Sequence, residues 1–192
     1  MEAMELRQSL EEIRKFLLPR WKEMRDNPNW EWSEYGATLD ETCPSVDMCR
    51  FTTIFLHLIS NGDVQICGGI GNVSSSPYDS EHGYRISDGK YAGHLWGVLD
   101  GEVIDITADQ FGEEAIVICS ESDLRYKPRV FKGRKFEDAE ELLYTCPEVA
   151  QWAEDFREIM ERRKNRGMDV PEIFSNEKPV ECKAAPTMEM SL

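Results

Sequence analysis

The stretch Gly93-His94-Leu95-Trp96-Gly97-Val98-Leu99-Asp100-Gly101-Glu102-Val103-Ile104-Asp105-Ile106-Thr107 decides the fold. Two apolar runs flank an Asp-Gly pair. That pair favours the positive φ values of a two-residue type I′ turn, so the stretch reads as a β-hairpin. A turn centred on Asp100-Gly101 sets Val98 opposite Val103, Trp96 opposite Asp105 and His94 opposite Thr107. Side chains alternate between faces with period two, so His94, Trp96, Val98, Val103, Asp105 and Thr107 share one side. His94 and Asp105 become diagonal neighbours, roughly 7 to 8 Å apart along the backbone, a gap that an imidazole and a carboxylate close with a hydrogen bond. An imidazole steered by a carboxylate is an oriented base in need of a nucleophile.

Upstream, Cys43-Pro44-Ser45-Val46-Asp47-Met48-Cys49-Arg50 leads into Phe51 to Gly62, a run that is apolar nearly all round and ends in Asn61-Gly62. It reads as a buried helix of about three turns with a glycine stop. Asp47, or failing that Ser45, is expected to cap it, which places Cys49 in the opening turn. Free amides and the positive end of the helix dipole favour thiolate there, Arg50 adds positive charge, and the same amides can hold an oxyanion. Cys43 is the rival nucleophile, although it precedes Pro44 and lies outside the helix. Asp109 is the rival to Asp105. His57, inside the buried helix, and His82, in a loop, have no orienting carboxylate in sequence.

Around this core, residues 4–25 carry Met4, Leu6, Leu10, Ile13, Phe16, Leu17 and Trp21 at spacings near three and four, an amphipathic helix perturbed at Pro19. Residues 26–42 hold Trp30, Trp32 and Tyr35 in a loop-like composition, read as core aromatics before cleft lining. Asp63 to Val73 looks like a strand loosening through glycines; no Lys-Ser or Lys-Thr follows Gly68-Gly69-Ile70-Gly71, which speaks against a phosphate loop. Residues 74–82 read as a loop, and Tyr84 to Ala92 as a further hairpin about Asp88-Gly89 that leads into the central one, so the sheet is antiparallel. Thr107 and Gln110 resemble a capping box. Ala115 to Cys119 is an apolar strand, and Val130-Phe131 is expected to add a short one. Thr145 and Glu148 are expected to cap a helix over 145–166, with Val149, Trp152, Ala153, Phe156, Ile159 and Met160 as its stripe, a basic end at Arg162, Arg163, Lys164 and Arg166, and Gly167 as its stop. Residues 168–192 read as a poorly ordered tail.

Composition narrows the function classes. The 192 residues suit one domain with a core. A net charge of −15 repels phosphate backbones, so nucleic acid is not an expected partner, and no stretch reads as membrane-spanning. Cys43, Cys49, Cys67, Cys119, Cys146 and Cys182 lack a repeating spacing, and the chain opens without a secretion leader, so the cysteines read as reduced thiols in a cytoplasmic protein. Delivery into another cell fits the same composition. Without C-x-x-C or H-x-x-x-H, a metal site is not expected.

Cys49 at the head of an apolar helix, then Gly93-His94-Leu95-Trp96 and Asp100 through Phe111 in the form Asp-Gly-Glu-Val-Ile-Asp-Ile-Thr-Ala-Asp-Gln-Phe, resembles the transglutaminase-like branch of the papain-like cysteine enzymes. The resemblance spans roughly residues 43–120, and its histidine and aspartate segments are the specific part. It implies an α+β fold in which a nucleophile-bearing buried helix packs on an antiparallel sheet, here within a single domain over 1–167 flanked by helices 4–25 and 145–166. It also implies a Cys49-His94-Asp105 triad, with Trp96 beside it as a substrate contact. The family includes thiol proteases, amidases, protein-glutamine deamidases and crosslinking transferases. The expected function is therefore cysteine-dependent acyl transfer from an amide through a thioester, on a protein, peptide or small amide substrate. This chemistry needs no cofactor, and no D-x-D-x-D-G calcium loop is present. The alternative is an inactive relative that serves as a protein-interaction module. Oligomeric state is not legible.

Overall fold

The computed structural model describes residues 3–27, 43–69, 82–87, 89–130, 133, 135–171 and 173. In chain order the elements are α1 (Ala3–Asp26), α2 (Cys49–Ile59), β1 (Gln65–Gly69), β2 (Gly83–Arg85), β3 (Tyr91–Ala92), β4 (His94–Leu99) and β5 (Glu102–Asp105). A 3-10 turn (Ala108–Phe111), β6 (Val117–Ser120), β7 (Tyr126–Lys127), α3 (Ala139–Thr145) and α4 (Glu148–Asn165) follow. The fold mixes helices with antiparallel sheets.

The central hairpin forms in the expected register, with Val98 opposite Val103 and Leu99 opposite Glu102. Asp100 and Gly101 supply the turn at φ 51° and 82°. This is the left-handed pair that a type I′ turn needs and that Asp-Gly tolerates. β4 is central in a four-stranded sheet ordered β1-β4-β5-β6, with Gly69 opposite His94 and Cys67 opposite Trp96. The two sides of the hairpin then part company. Leu95, Ile104 and Ile66 join Phe51, Ile54, Phe55 and Ile59 of α2 in the main core. Trp96, Val98, Val103 and Cys67 face the other way, into a smaller core with Tyr84 and Tyr126. Gly97 lies on the α2 side because a Cβ there would stand 2.7 Å from Val64 Cγ1 and 2.8 Å from Ile104 Cγ1.

The second hairpin, β2-β3, exists but belongs to a separate three-stranded sheet ordered β3-β2-β7. Both hydrogen-bonding edges of β4 are already taken, by β1 and β5. The extra hairpin therefore finds its partner in β7, with Tyr84 opposite Tyr126. The strand expected at Val130-Phe131 is displaced to β7; Val130 is 63% exposed, and Phe131 lies outside the described residues.

The helices wrap the other face. α1 buries Leu6, Leu10, Ile13, Leu17 and Trp21 and runs through Pro19 unbroken, where the guanidinium of Arg20 donates to the carbonyl of Phe16 at 3.1 Å. α4 buries Val149, Trp152, Ala153, Phe156 and Met160, whereas Ile159 stays 37% exposed. Phe156 packs edge-on against Phe16 and Phe55, with ring centroids at 5.0 and 5.6 Å. Such contacts are each worth about 0.5 to 1.5 kcal/mol beyond area burial. The basic end of α4 is ion-paired, Arg162 to Glu158 and Arg163 to Glu12 of α1, and Gly167 ends the helix at φ 69°.

Three expected caps are replaced. α2 has Met48 at its N-cap with no side-chain cap. The Ser45 hydroxyl instead donates to Asp109 and to the carbonyl of Thr107, and Asp47 sits at φ 62°. Thr145 does not cap α4, because it closes the short α3 by donating to the carbonyl of Leu142 at 2.8 Å. α3 escapes sequence reading because none of its residues is buried, so it leaves no apolar stripe. Gln110 does not complete a capping box either; its amide donates to the carbonyl of Thr107 at 2.8 Å. The described residues after 167 do not all behave as a tail: Ile173 is 5% exposed and Val170 packs on the main core. Positions 174–192, the aromatic segment with Trp30, Trp32 and Tyr35, and the loop over 74–81 lie outside the described residues.

Candidate functional site

Cys49 is the first residue of α2 and His94 the first residue of β4, and Cys49 acts electrostatically on the His94 ring. His94 Nε2 donates to Asp105 Oδ2 at 2.7 Å, with both side chains buried. The backbone N–H and the hydroxyl of Thr107 donate to Asp105 Oδ1 at 2.8 and 2.9 Å. The first of these is an Asx turn, written in the sequence as Asp105-Ile106-Thr107. The Tyr126 hydroxyl adds a fourth donor, to Oδ2 at 3.1 Å.

Electrostatics follow from this arrangement. Burial acting alone would lower the proton affinity of His94. The Asp105 carboxylate and, behind it, Cys49 outweigh burial and raise it to about 10. Burial likewise works to raise Asp105, but the His94 charge and the Thr107 donors hold it below the usual carboxylate range. The pair is thus an imidazolium held by a carboxylate. Nε2 being occupied, Nδ1 is the ring nitrogen that remains. It is buried with no formed hydrogen bond.

The imidazole stands in an aromatic enclosure. Phe111 and Tyr84 meet it edge-on at 4.9 and 6.0 Å between ring centroids, and Trp96 stacks near it at 6.1 Å. Trp96, expected as a substrate contact, is 2% exposed and packs between His94 and Tyr126. It lies on the inward face of the hairpin, beside the imidazole.

The rival residues are placed elsewhere. Burial raises the thiol of Cys43, which sits 3.3 Å from the Ser45 hydroxyl. Burial also pushes Cys67 up to about 12 and Cys119 up to about 11, and it raises Cys146, so these four thiols are held neutral. Asp109 is tied to Arg14 and Ser45. His57 Nδ1 meets the carbonyl of Val64 at 2.8 Å and ties α2 to the start of β1. Arg50 acts on the Cys146 thiol at the junction of α3 and α4.

Two contributors escaped sequence reasoning. Arg14 is 8% exposed and donates to Asp109 and to the carbonyls of Ile106 and Ala115, so α1 anchors the loop that follows Asp105. Its signal was present: Leu10, Arg14, Leu17 and Trp21 share one stripe, and a cation on a buried stripe demands a buried anion. Tyr126 left no signal, because a two-residue strand has no periodicity to read.

Among the described residues no group of His, Cys, Asp and Glu is arranged to hold a metal ion, and no helix is long and apolar enough to cross a membrane. Compared with protein-family models, with curated proteins and with solved structures, the chain matches none.

Proposed function

We propose that the protein is a cysteine-dependent acyl-transfer enzyme acting on an amide bond, with Cys49 as nucleophile, His94 as general acid and base, and Asp105 as the group that orients His94. The observation that carries this reading is the placement of His94, gripped by Asp105 through Nε2 at 2.7 Å while Cys49 acts on the ring and Nδ1 has no hydrogen-bond partner. In this reading the helix-on-sheet arrangement is the papain-like, transglutaminase-like core that the His94 and Asp105 segments resemble.

The chemistry follows from the contacts. The Cys49 sulfur attacks the substrate carbonyl carbon, forming an S–C bond and an oxyanion. The N–H groups at the start of α2, which no side chain caps, supply donors beside Cys49 for that oxygen. His94 gives its Nδ1 proton to the leaving nitrogen as the C–N bond breaks, leaving a thioester. Water or an amine then attacks the thioester, His94 takes its proton, and the sulfur departs as thiolate. Release to water makes the protein a protease, amidase or deamidase, and release to an amine makes it a transglutaminase. The substrate is a protein, peptide or small amide, and the setting is the reducing cytoplasm, in keeping with the five described cysteines all being free thiols.

Intact-mass spectrometry of the protein mixed with a peptide-derived acyl donor library tests the proposal. The expected result is a covalent adduct on Cys49 that is absent from Cys49→Ala. No adduct from any donor, with Cys49 unmodified, is the outcome expected of an interaction module that keeps these residues for packing.

A further inference from the structure

Asp105 is served from two sheets. β5 carries it, while β7 of the other sheet carries Tyr126, whose hydroxyl donates to the same Oδ2 that accepts His94 Nε2. Tyr126 is 4% exposed, and its ring is fixed edge-on by Trp96 and Tyr84 at 5.1 and 5.2 Å. Phenylalanine would fill that space equally well, so the packing of the ring leaves the hydroxyl unexplained.

We propose that Tyr126 is a positioning residue that sets how tightly Asp105 holds the proton of His94. The inference rests on the reading of Cys49, His94 and Asp105 given above. Two donors on one oxygen share its charge, so the density drawn by the phenol is withdrawn from the imidazolium. The phenol also stops the carboxylate from turning. Without it, Asp105 grips the imidazolium harder, and His94 becomes a weaker acid toward the leaving nitrogen.

The charged and titratable neighbours are few. Cys49 of α2 and Asp105 of β5 face His94, and Tyr84 of β2 and Cys119 of β6 face Tyr126. Glu113 and Arg125 reach Tyr84, and Asp123 and Arg125 reach Cys119. None of these is altered in Tyr126→Phe. Burial, and then the Asp105 carboxylate, hold the phenol far above its ordinary range, so it remains a donor wherever the protein is folded.

The test is nitrogen NMR of the His94 ring across pH on the full chain. Tyr126→Phe is expected to move the His94 titration upward by roughly one pH unit. 3-Fluorotyrosine incorporated at Tyr126, a more acidic donor, is expected to move it downward, and this arm decides the matter if Tyr126→Phe fails to fold. Tyr84→Phe, which removes a buried phenol hydroxyl bonded to Glu113, is expected to move it by neither amount. An unmoved titration in a folded Tyr126→Phe, or in the fluorotyrosine protein, overturns the inference. If, in that unmoved case, wild-type Cys49 still alkylates rapidly and depends on His94, this inference alone is lost. Slow alkylation that ignores His94→Ala removes the acyl-transfer reading and this one with it.

Discussion

The two faces of the central hairpin are built from alternate residues of the same strands and hold in opposite ways. Leu95 and Ile104 point toward α2 and are covered by aliphatic and aromatic side chains, so their face is held by close packing. His94 and Asp105 point the other way and are held by directed donors, four of them on one carboxylate. A change on the first face should cost stability and leave the chemistry in place; a change on the second should cost the chemistry and alter how stability depends on pH.

The largest expected effect is at the sulfur that the polar face serves. Cys49→Ala should reduce turnover of the acyl donor by on the order of 10³-fold or more, about 4 kcal/mol of barrier, with the unfolding midpoint little changed. Ile104→Ala should do the opposite, lowering stability by about 2 to 5 kcal/mol in urea titrations while the alkylation rate of Cys49 holds. Gly97→Ala should cost about 1 to 3 kcal/mol, because its new Cβ meets Val64 and Ile104 closer than side chains tolerate.

The last effect is a slope, and its size at any one pH step is the smallest of the set. The proton affinity of His94 rises from 6.5 to about 10 on folding, so the folded state binds more protons than the unfolded chain between those values. That contribution to stability is fully present below about pH 6.5 and is lost as pH rises through about 10. Denaturation midpoints measured across this window should fall with rising pH. Asp105→Asn, which removes the anion responsible, should flatten the fall.

The same contrast explains which features are legible in the sequence. The hairpin was legible because Asp100-Gly101 pins the turn, and a pinned turn fixes every pair, including the face shared by His94 and Asp105. α2 was legible from its unbroken apolar run, with Cys49 at its head. The caps were not, because Ser45 has a choice of partners and the folded chain gives it to Asp109 and Thr107, which are 64 and 62 residues away. Long-range pairing of that kind has no local signature. The same holds for the second sheet, where β2 finds β7 across some forty residues of chain, and so for Tyr126. Trp96, expected to contact substrate, is 2% exposed; a ring beside a histidine looks the same in sequence whether it faces solvent or core.

The most direct test of the central claim is the rate at which iodoacetamide alkylates Cys49 at about pH 6, compared between the wild type and His94→Ala. A sulfur kept reactive by the imidazolium should be alkylated rapidly in the wild type and on the order of 10²-fold more slowly in the variant. Equal rates in the two proteins would contradict the pairing of Cys49 with His94 and, with it, the proposed chemistry.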